Sequence, residues 1–116
     1  MAYLIASGTT TSVAANTLSA ELVTGDFEII GSGKLTLIAL GSATGLTANL
    51  SCGGIFLSNN QPIPFFGTTG TMDTSAHVVV SQSVAGGKNS LKFRNTTAGA
   101  LTVDYQLLWE PASRRR

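Results

Sequence analysis

The alternation of apolar and polar side chains near the end of the chain, broken only by Leu108, is the feature that most constrains its fold. Within 101–110 the apolar residues at odd positions are Leu101, Val103, Tyr105, Leu107 and Trp109. Successive side chains of an extended strand lie on opposite faces, whereas a helix brings every third or fourth residue to one face. The alternation therefore predicts a β-strand that buries one face. Residues 89–95 alternate in the same way.

Short runs of this type recur about every ten residues and are separated by clusters of Gly, Ser, Thr and Asn. Such spacing is typical of an antiparallel sandwich or barrel rather than of alternating strands and helices. A chain of 116 residues is long enough for one core. We therefore expect residues 1–116 to form a single all-β domain, an antiparallel β-sandwich. The predicted strands are 3–6, 22–30, 34–41, 46–57, 76–82, 89–95 and 100–110.

The connections between these runs carry turn-forming residues. The sequence NTTAGA at 95–100 contains Gly99, which can take the positive φ of a tight turn, and predicts a hairpin over 89–110. Gly53 and Gly54 interrupt the run 46–57 and predict a bulge or bend that turns the strand between sheets. Prolines within 59–76 predict a long loop that can carry an interaction surface.

Two further segments have distinct patterns. Residues 13–23 have the Ala and Leu content of a helix, but Thr17, Ser19 and the preceding TTTS favour an extended arm or an edge strand. We therefore expect an N-terminal arm within 1–20. The run 34–41 is apolar on both faces after Thr36, as expected of a strand buried inside a sandwich or against a neighbouring subunit.

Charge is scarce and unevenly placed. Charged residues make up 11% of the chain, whereas a typical soluble domain has about 25%. This predicts a surface covered by neighbouring copies. Residues 1–113 contain four basic and six acidic residues, a net charge of −2, so the body of the domain is not expected to be a basic nucleic-acid surface.

The excess positive charge lies in a short tail, 112–116, which we expect to be disordered. Two roles stay open for Arg114, Arg115 and Arg116. They can contact nucleic acid weakly, with many copies adding by avidity. Alternatively, they form a solvated end or pair with a carboxylate at a subunit boundary.

No constellation of catalytic residues is recognisable. His77 is the only histidine and precedes VVV in a predicted strand, without a nucleophile motif. Cys52 is the only cysteine, which excludes an intramolecular disulfide and a cysteine metal cluster. The run 31–34, GSGK, lacks the spacing of a phosphate-binding loop. The sequence therefore predicts a protein that is not an enzyme and has no catalytic residue, cofactor or metal.

Four apolar residues are candidates for an interface. Trp109 is expected in the core or in a subunit contact. Phe65 and Phe66 follow Pro62 and Pro64, and either form an exposed anchor or close the open end of the sandwich. No basic leader or run of about 20 apolar residues is present, so we expect synthesis in the cytoplasm and no membrane partner.

Two stretches carry a resemblance to a known family. SLKFRNTTAGALTVDYQLLWEP resembles the terminal hairpin of small β-sandwich virion proteins, notably phage capsid decoration (cement) proteins and jelly-roll coat proteins. The stretch GDFEIIGSGKLTLIALGS, with two strand-like runs around a Gly-Ser-Gly turn, is similar to the strands of the same proteins. The resemblance is one of architecture and covers roughly residues 20–111. The resemblance implies a jelly-roll-like viral structural protein that resides in the virion. It assigns no catalytic residue to this chain.

The partners implied by this resemblance are other copies of the chain, as a homotrimer or a larger assembly, and a major capsid protein. The alternative function is a small glycan-binding or adhesion module that uses exposed aromatic side chains and Asn or Asp loops. Assembly into an oligomer separates the first hypothesis from the second.

Overall fold

The computed structural model describes residues 3–23, 28–64 and 78–112, and these form an all-β domain. The strands are β1 (Tyr3–Val13), β2 (Ile29–Ile30), β3 (Gly33–Gly41), β4 (Leu46–Cys52), β5 (Ile55–Pro62), β6 (Val78–Val84), β7 (Gly87–Asn95) and β8 (Leu101–Pro111).

The strands form two antiparallel sheets of four strands each. The first has the order β1-β8-β3-β6 and the second the order β2-β7-β4-β5. Four of the strand pairs are those of one long hairpin whose tip is the β4–β5 turn: β1 with β8, β2 with β7, β3 with β6, and β4 with β5. Additional pairing of β3 with β8 and of β4 with β7 joins these pairs into sheets.

A single hydrophobic core contains side chains from both sheets. Every second residue is buried along β4 and along most of β7 and β8, as the alternation predicts. The rings of Phe93 on β7 and Tyr105 on β8 have centroids 5.4 Å apart and so connect the two sheets. Burial of an aromatic or aliphatic side chain contributes about 1.5–3 kcal/mol, which makes this core the main source of stability.

Strand β3 is buried on both faces. Leu37 and Ala39 belong to the core, and Ile38 and Leu40, which alternate with them, are also buried. This agrees with the apolar character of both faces of the run 34–41.

The predicted hairpin over 89–110 is wrong. Strand β7 belongs to the second sheet and β8 to the first, so residues 96–100 connect the two sheets. Buried Asn95 holds this connection: its Nδ2 donates to Val13 O at 3.0 Å and to Gly99 O at 2.8 Å, and its Oδ1 accepts from Thr97 N at 2.9 Å. Alternation identified the buried faces, but it does not specify the strand with which each face pairs.

The interruption at Gly53 and Gly54 also differs from the expectation. The two residues form a two-residue turn between β4 and β5 of the same sheet, so the run 46–57 contains parts of two strands. Their φ values of 63° and 83° suit the mirror-image turn that matches the twist of a hairpin.

The N-terminal residues differ from the predicted arm. Residues 3–13 form β1, which pairs with β8 at one edge of the first sheet. Residues 16–22 lie along β7, where Leu18 and Arg94 form an isolated antiparallel bridge. Residues 16–22 form this single bridge rather than a strand, so the edge-strand alternative holds only at Leu18. Of the predicted loop at 59–76, residues 59–62 belong to β5, and residues 65–76 lie outside the described residues.

Candidate functional site

The outer face of β7, β4 and β5 carries three rows of polar and aromatic side chains, which we call the outer groove. One row joins Ser90, Ser51 and Phe56, and a second joins Lys92 to Asn49. A third row consists of Arg94, Thr47 and Pro62. A cleft of about 310 Å³ follows these rows and is lined by Leu18, Asn49, Ser51, Phe56, Asn59, Asn60, Ser90, Lys92 and Arg94.

A pair of asparagines fixes the middle of the outer groove. Asn49 Nδ2 donates to Asn60 Oδ1 at 3.2 Å, and the Asn60 backbone N–H donates to Asn49 Oδ1 at 2.9 Å. Asn60 has a φ of 53°, a left-handed conformation that asparagine tolerates better than most residues. Both side-chain oxygens are therefore already hydrogen-bonded, whereas no described residue accepts a hydrogen bond from Asn60 Nδ2.

Lys92 and Arg94 supply the positive charge of the outer groove. They are two positions apart on β7 and alternate with buried Leu91 and Phe93, so both lie on the outer face. Within the described ranges, the ion pair is that of Lys88 with Glu28, at 3.4 Å, and no carboxylate lies within ion-pair distance of Lys92 or Arg94.

Glu21 lies beside the outer groove and contacts Ser90, one of the residues that line it. Its Oε1 accepts from Ser90 Oγ at 2.6 Å, and its Oε2 accepts from the backbone N–H of Leu91 at 2.8 Å and of Val23 at 3.2 Å. Partial burial raises the pKa of this carboxyl, but the three hydrogen bonds and nearby Lys92 outweigh burial and lower the pKa overall.

Residues 16–22 complete the hydrogen bonding of this edge of β7. Leu22 N donates to Leu91 O at 3.0 Å, and Ser19 N donates to Phe93 O at 2.8 Å. Phe93 N donates to Ser19 Oγ at 3.0 Å. The side chains of Ser19 and Glu21 thus accept the N–H groups that a regular neighbouring strand would bind through its carbonyls.

The four edge strands β1, β2, β5 and β6 contain no Lys, Arg, Asp or Glu. Most of the exposed large apolar side chains of the described residues lie on these edges, and the remaining one, Leu18, lies beside β7. The edge side chains are Tyr3, Leu4, Ile29, Ile55, Phe56 and Val78. The described charged residues lie on inner strands or in connections: Glu21, Glu28, Lys34, Lys88, Lys92, Arg94, Asp104 and Glu110.

The structure locates two of the candidate interface residues. Trp109 is half-buried on β8, packs against the core, and has its ring centroid 5.8 Å from that of Tyr3. Pro62 is exposed at the end of β5. Several other candidates lie outside the described residues: Phe65, Phe66, His77, Arg114, Arg115 and Arg116.

Sequence reasoning did not select Phe56, whose side chain is 60% exposed, or Asn60. The alternation in 89–95 already indicated that Lys92 and Arg94 share a face with Ser90. The position of Phe56 opposite Ser51 depends on the turn at 53–54, and no signal in the sequence fixed that register.

Among residues 3–23, 28–64 and 78–112, no group of three or more His, Cys, Asp or Glu side chains is placed to hold a metal ion. Cys52 is buried, and burial raises the pKa of its thiol despite a hydrogen bond with the backbone at Gly86. No helix in the described part of the chain is long and apolar enough to cross a membrane.

The fold and the outer groove define an all-β domain of two antiparallel sheets with a donor-rich cleft on one outer face. Comparison with protein-family models, curated proteins and solved structures finds no match to this chain.

Proposed function

We propose that this chain is a viral structural protein, a phage capsid decoration subunit or a small coat protein, that acts by symmetric self-assembly in the virion. The observation that carries the proposal is the absence of charge from all four edge strands, which also bear most of the exposed large apolar side chains of the described residues. The proposed role is structural rather than catalytic.

The strand pairing supports a jelly-roll assignment. Jelly rolls contain eight strands in two sheets, and they occur in viral capsid proteins as well as in lectin domains and cupins. The eight strands and their four hairpin-like pairs agree with that architecture. Since several functions share the jelly-roll fold, the proposal rests on the edge strands rather than on the fold.

Solitary β proteins protect their edges with charged side chains, prolines, bulges or covering segments. Here β1, β5 and β6 have bulges, and β5 ends in Pro62, but none of the four edge strands has a charge. Glu21 lies in the irregular segment that covers the rest of the β7 edge. Bulges disfavour continuous strand pairing across a subunit boundary. We therefore propose that copies meet through apolar side chains such as Leu4, Ile29 and Ile55.

The glycan-binding alternative has less support. Sugar hydroxyls both donate and accept hydrogen bonds, so a glycan site needs free acceptors as well as donors. In the outer groove, the side-chain oxygens of Asn49 and Asn60 already accept hydrogen bonds, which leaves mainly the hydroxyl oxygens of Ser51 and Ser90 as acceptors for a sugar.

Charge placed on an edge tests this proposal. Leu4→Lys on β1 and Ile55→Lys on β5 are expected to shift the assembled protein toward monomer, because each puts a charge into an apolar contact. Ala98→Lys, in the exposed connection between β7 and β8, is the matched control and should leave assembly unchanged. Negative-stain images and light scattering report the outcome.

Closed particles would support a coat protein, and discrete trimers would support a decoration subunit. A wild-type monomer, or an oligomer that neither edge variant disturbs, would overturn the proposal.

A further inference from the structure

We propose that the outer groove binds single-stranded nucleic acid, with Lys92 and Arg94 on phosphates and Phe56 stacked on a base. This inference goes beyond the proposed structural role. The cations of the outer groove lie on the central strand β7, whereas Phe56 lies on the edge strand β5, so variants of Phe56 are also checked for oligomeric state.

The hydrogen-bonding character of the outer groove selects an anionic ligand. Lys92 and Arg94 are donors without an ion-pair partner among the described residues. Asn60 Nδ2 adds an N–H group that no described residue accepts. Asn49 Oδ1 and Asn60 Oδ1 each already accept a hydrogen bond, so the charged donors of Lys92 and Arg94 and the Nδ2 N–H of Asn60 are the strongest groups that the site offers to a ligand. Phosphate oxygens only accept hydrogen bonds and therefore match this set.

The electrostatics of the outer groove are local. Glu21 is the nearby carboxylate, and its oxygens are committed to Ser90, Leu91 and Val23. Lys92 and Arg94 thus stay available to phosphate despite the net charge of −2 over residues 1–113. A positive surface that follows a nucleic-acid backbone needs only such a local cluster, not a basic domain.

The aromatic side chain supplies the second element of single-strand recognition. Phe56 is 60% exposed and lies in the row of Ser51 and Ser90, on the opposite side of β4 from the cations of β7. Two strand spacings, about 9.5 Å, separate the backbone of β7 from that of β5. Cations along one side and a ring on the other are the features by which proteins bind single strands without strong sequence preference.

A duplex fits this surface less well. Its bases are stacked inside the helix, and the major groove admits an α-helix or a two-stranded ribbon rather than the face of a four-stranded sheet. An unpaired base is free to stack on Phe56 while its phosphates contact β7. We therefore expect a preference for single strands.

Fluorescence anisotropy of the full chain with labelled 20-nucleotide dT and U oligomers tests the proposal, with a 20-base-pair duplex and heparin oligosaccharide as the comparison ligands. We expect the single strands to bind more tightly than either comparison ligand. Binding should weaken with added salt, and the double variant Lys92→Gln, Arg94→Gln should lower the salt slope by about 1.4.

Matched variants separate the outer groove from other sites. Phe56→Ala should weaken binding about fivefold or more, which is the usual effect of losing one stacked base. Lys34→Gln removes one positive charge from the other sheet and should have no effect on the binding affinity. Deletion of Arg114, Arg115 and Arg116 should weaken binding without removing the dependence on Lys92 and Arg94. Arg94→Lys retains the charge and should retain most of the affinity.

Thermal melts and light scattering of every variant verify that folding and oligomeric state are unchanged, so a failure of this proposal is distinguishable from a failure of assembly. Three results would overturn it: no binding at low salt, binding that the Lys92 and Arg94 double variant leaves intact, or equal or tighter binding of the duplex or of heparin.

Discussion

Glu21 accepts the backbone N–H of Leu91 at a distance of 2.8 Å, in the position that a strand carbonyl would otherwise occupy. The same carboxylate accepts hydrogen bonds from Ser90 Oγ at 2.6 Å and from Val23 N at 3.2 Å. One ionised side chain therefore fixes the N-terminal segment to β7 and holds Ser90, which lines the outer groove.

This relationship predicts a pH dependence of stability. The pKa of Glu21 is lowered in the folded chain, so its contribution is present above the unfolded value near 4.3 and is lost as the pH falls through the lower folded value. We expect Glu21→Gln to reduce the free energy of unfolding by about 1 kcal/mol at pH 7, because charged hydrogen bonds are stronger than neutral ones and this site is only partly buried.

Urea denaturation at pH 7 and at progressively lower pH measures this effect. The difference between wild type and Glu21→Gln should shrink as the pH falls below about 4.3. Glu110→Gln, at an exposed position, is the control and should change stability by less than about 0.5 kcal/mol. A difference that stays constant over this range would show that the charge of Glu21 is not the cause.

Asn95 is predicted to be essential for the connection between the sheets. Asn95→Ala removes the side-chain donor to Val13 O and one of the donors to Gly99 O, and it removes the acceptor of Thr97 N, so it should lower the free energy of unfolding by about 2–4 kcal/mol. Asn59→Ala, at an exposed position, should cost less than about 0.5 kcal/mol. Chemical denaturation of both variants tests this, and equal losses would refute the assigned role of Asn95.

The glycine pair at the β4–β5 turn allows a matched comparison. Both residues have positive φ, so alanine at either position should cost about 1 kcal/mol. A Cβ on Gly53 would also lie 2.7 Å from Gly86 O, whereas one on Gly54 would meet no atom within 4 Å. Thermal unfolding should therefore show a larger loss for Gly53→Ala than for Gly54→Ala; the reverse order would contradict the packing of this turn on Gly86.

Two phenylalanines distinguish the core from the outer groove. Phe93→Ala removes a fully buried ring and should cost about 3–5 kcal/mol. Phe56→Ala removes an exposed ring and should change stability by less than about 0.5 kcal/mol. Urea denaturation compares the two variants. A large loss for Phe56→Ala would indicate that this side chain supports the fold. Weaker nucleic-acid binding by Phe56→Ala would then not count as evidence of stacking, and the Lys92 and Arg94 variants would carry the binding test.

The alternation in the sequence predicted which face of a strand each side chain lies on, but not which strands pair with each other. It predicted the buried side of β8 and the shared outer face of Lys92 and Arg94, because a period of two determines the side on which each residue lies. It did not reveal that β7 and β8 belong to different sheets. A connection as short as 96–100 is compatible both with a hairpin and with a link between sheets.

The candidate site was predictable only in part for a related reason. The position of Phe56 depends on the turn at 53–54, and the conformation of Asn60 depends on its hydrogen bonds with Asn49. Both are tertiary outcomes that local patterns do not encode. The net charge of residues 1–113 gave no indication of the outer groove, because it sums the charges of Lys92 and Arg94 with those of carboxylates elsewhere.

The molar mass of the wild-type chain in solution tests the central claim most directly. One chain has a mass of 11.9 kDa, and the uncharged apolar edges predict a homotrimer or a larger assembly at micromolar concentration. Multi-angle light scattering coupled to size-exclusion chromatography measures this mass over a concentration series. A mass of at least three chains would agree with the account, and a constant mass of 11.9 kDa would contradict it.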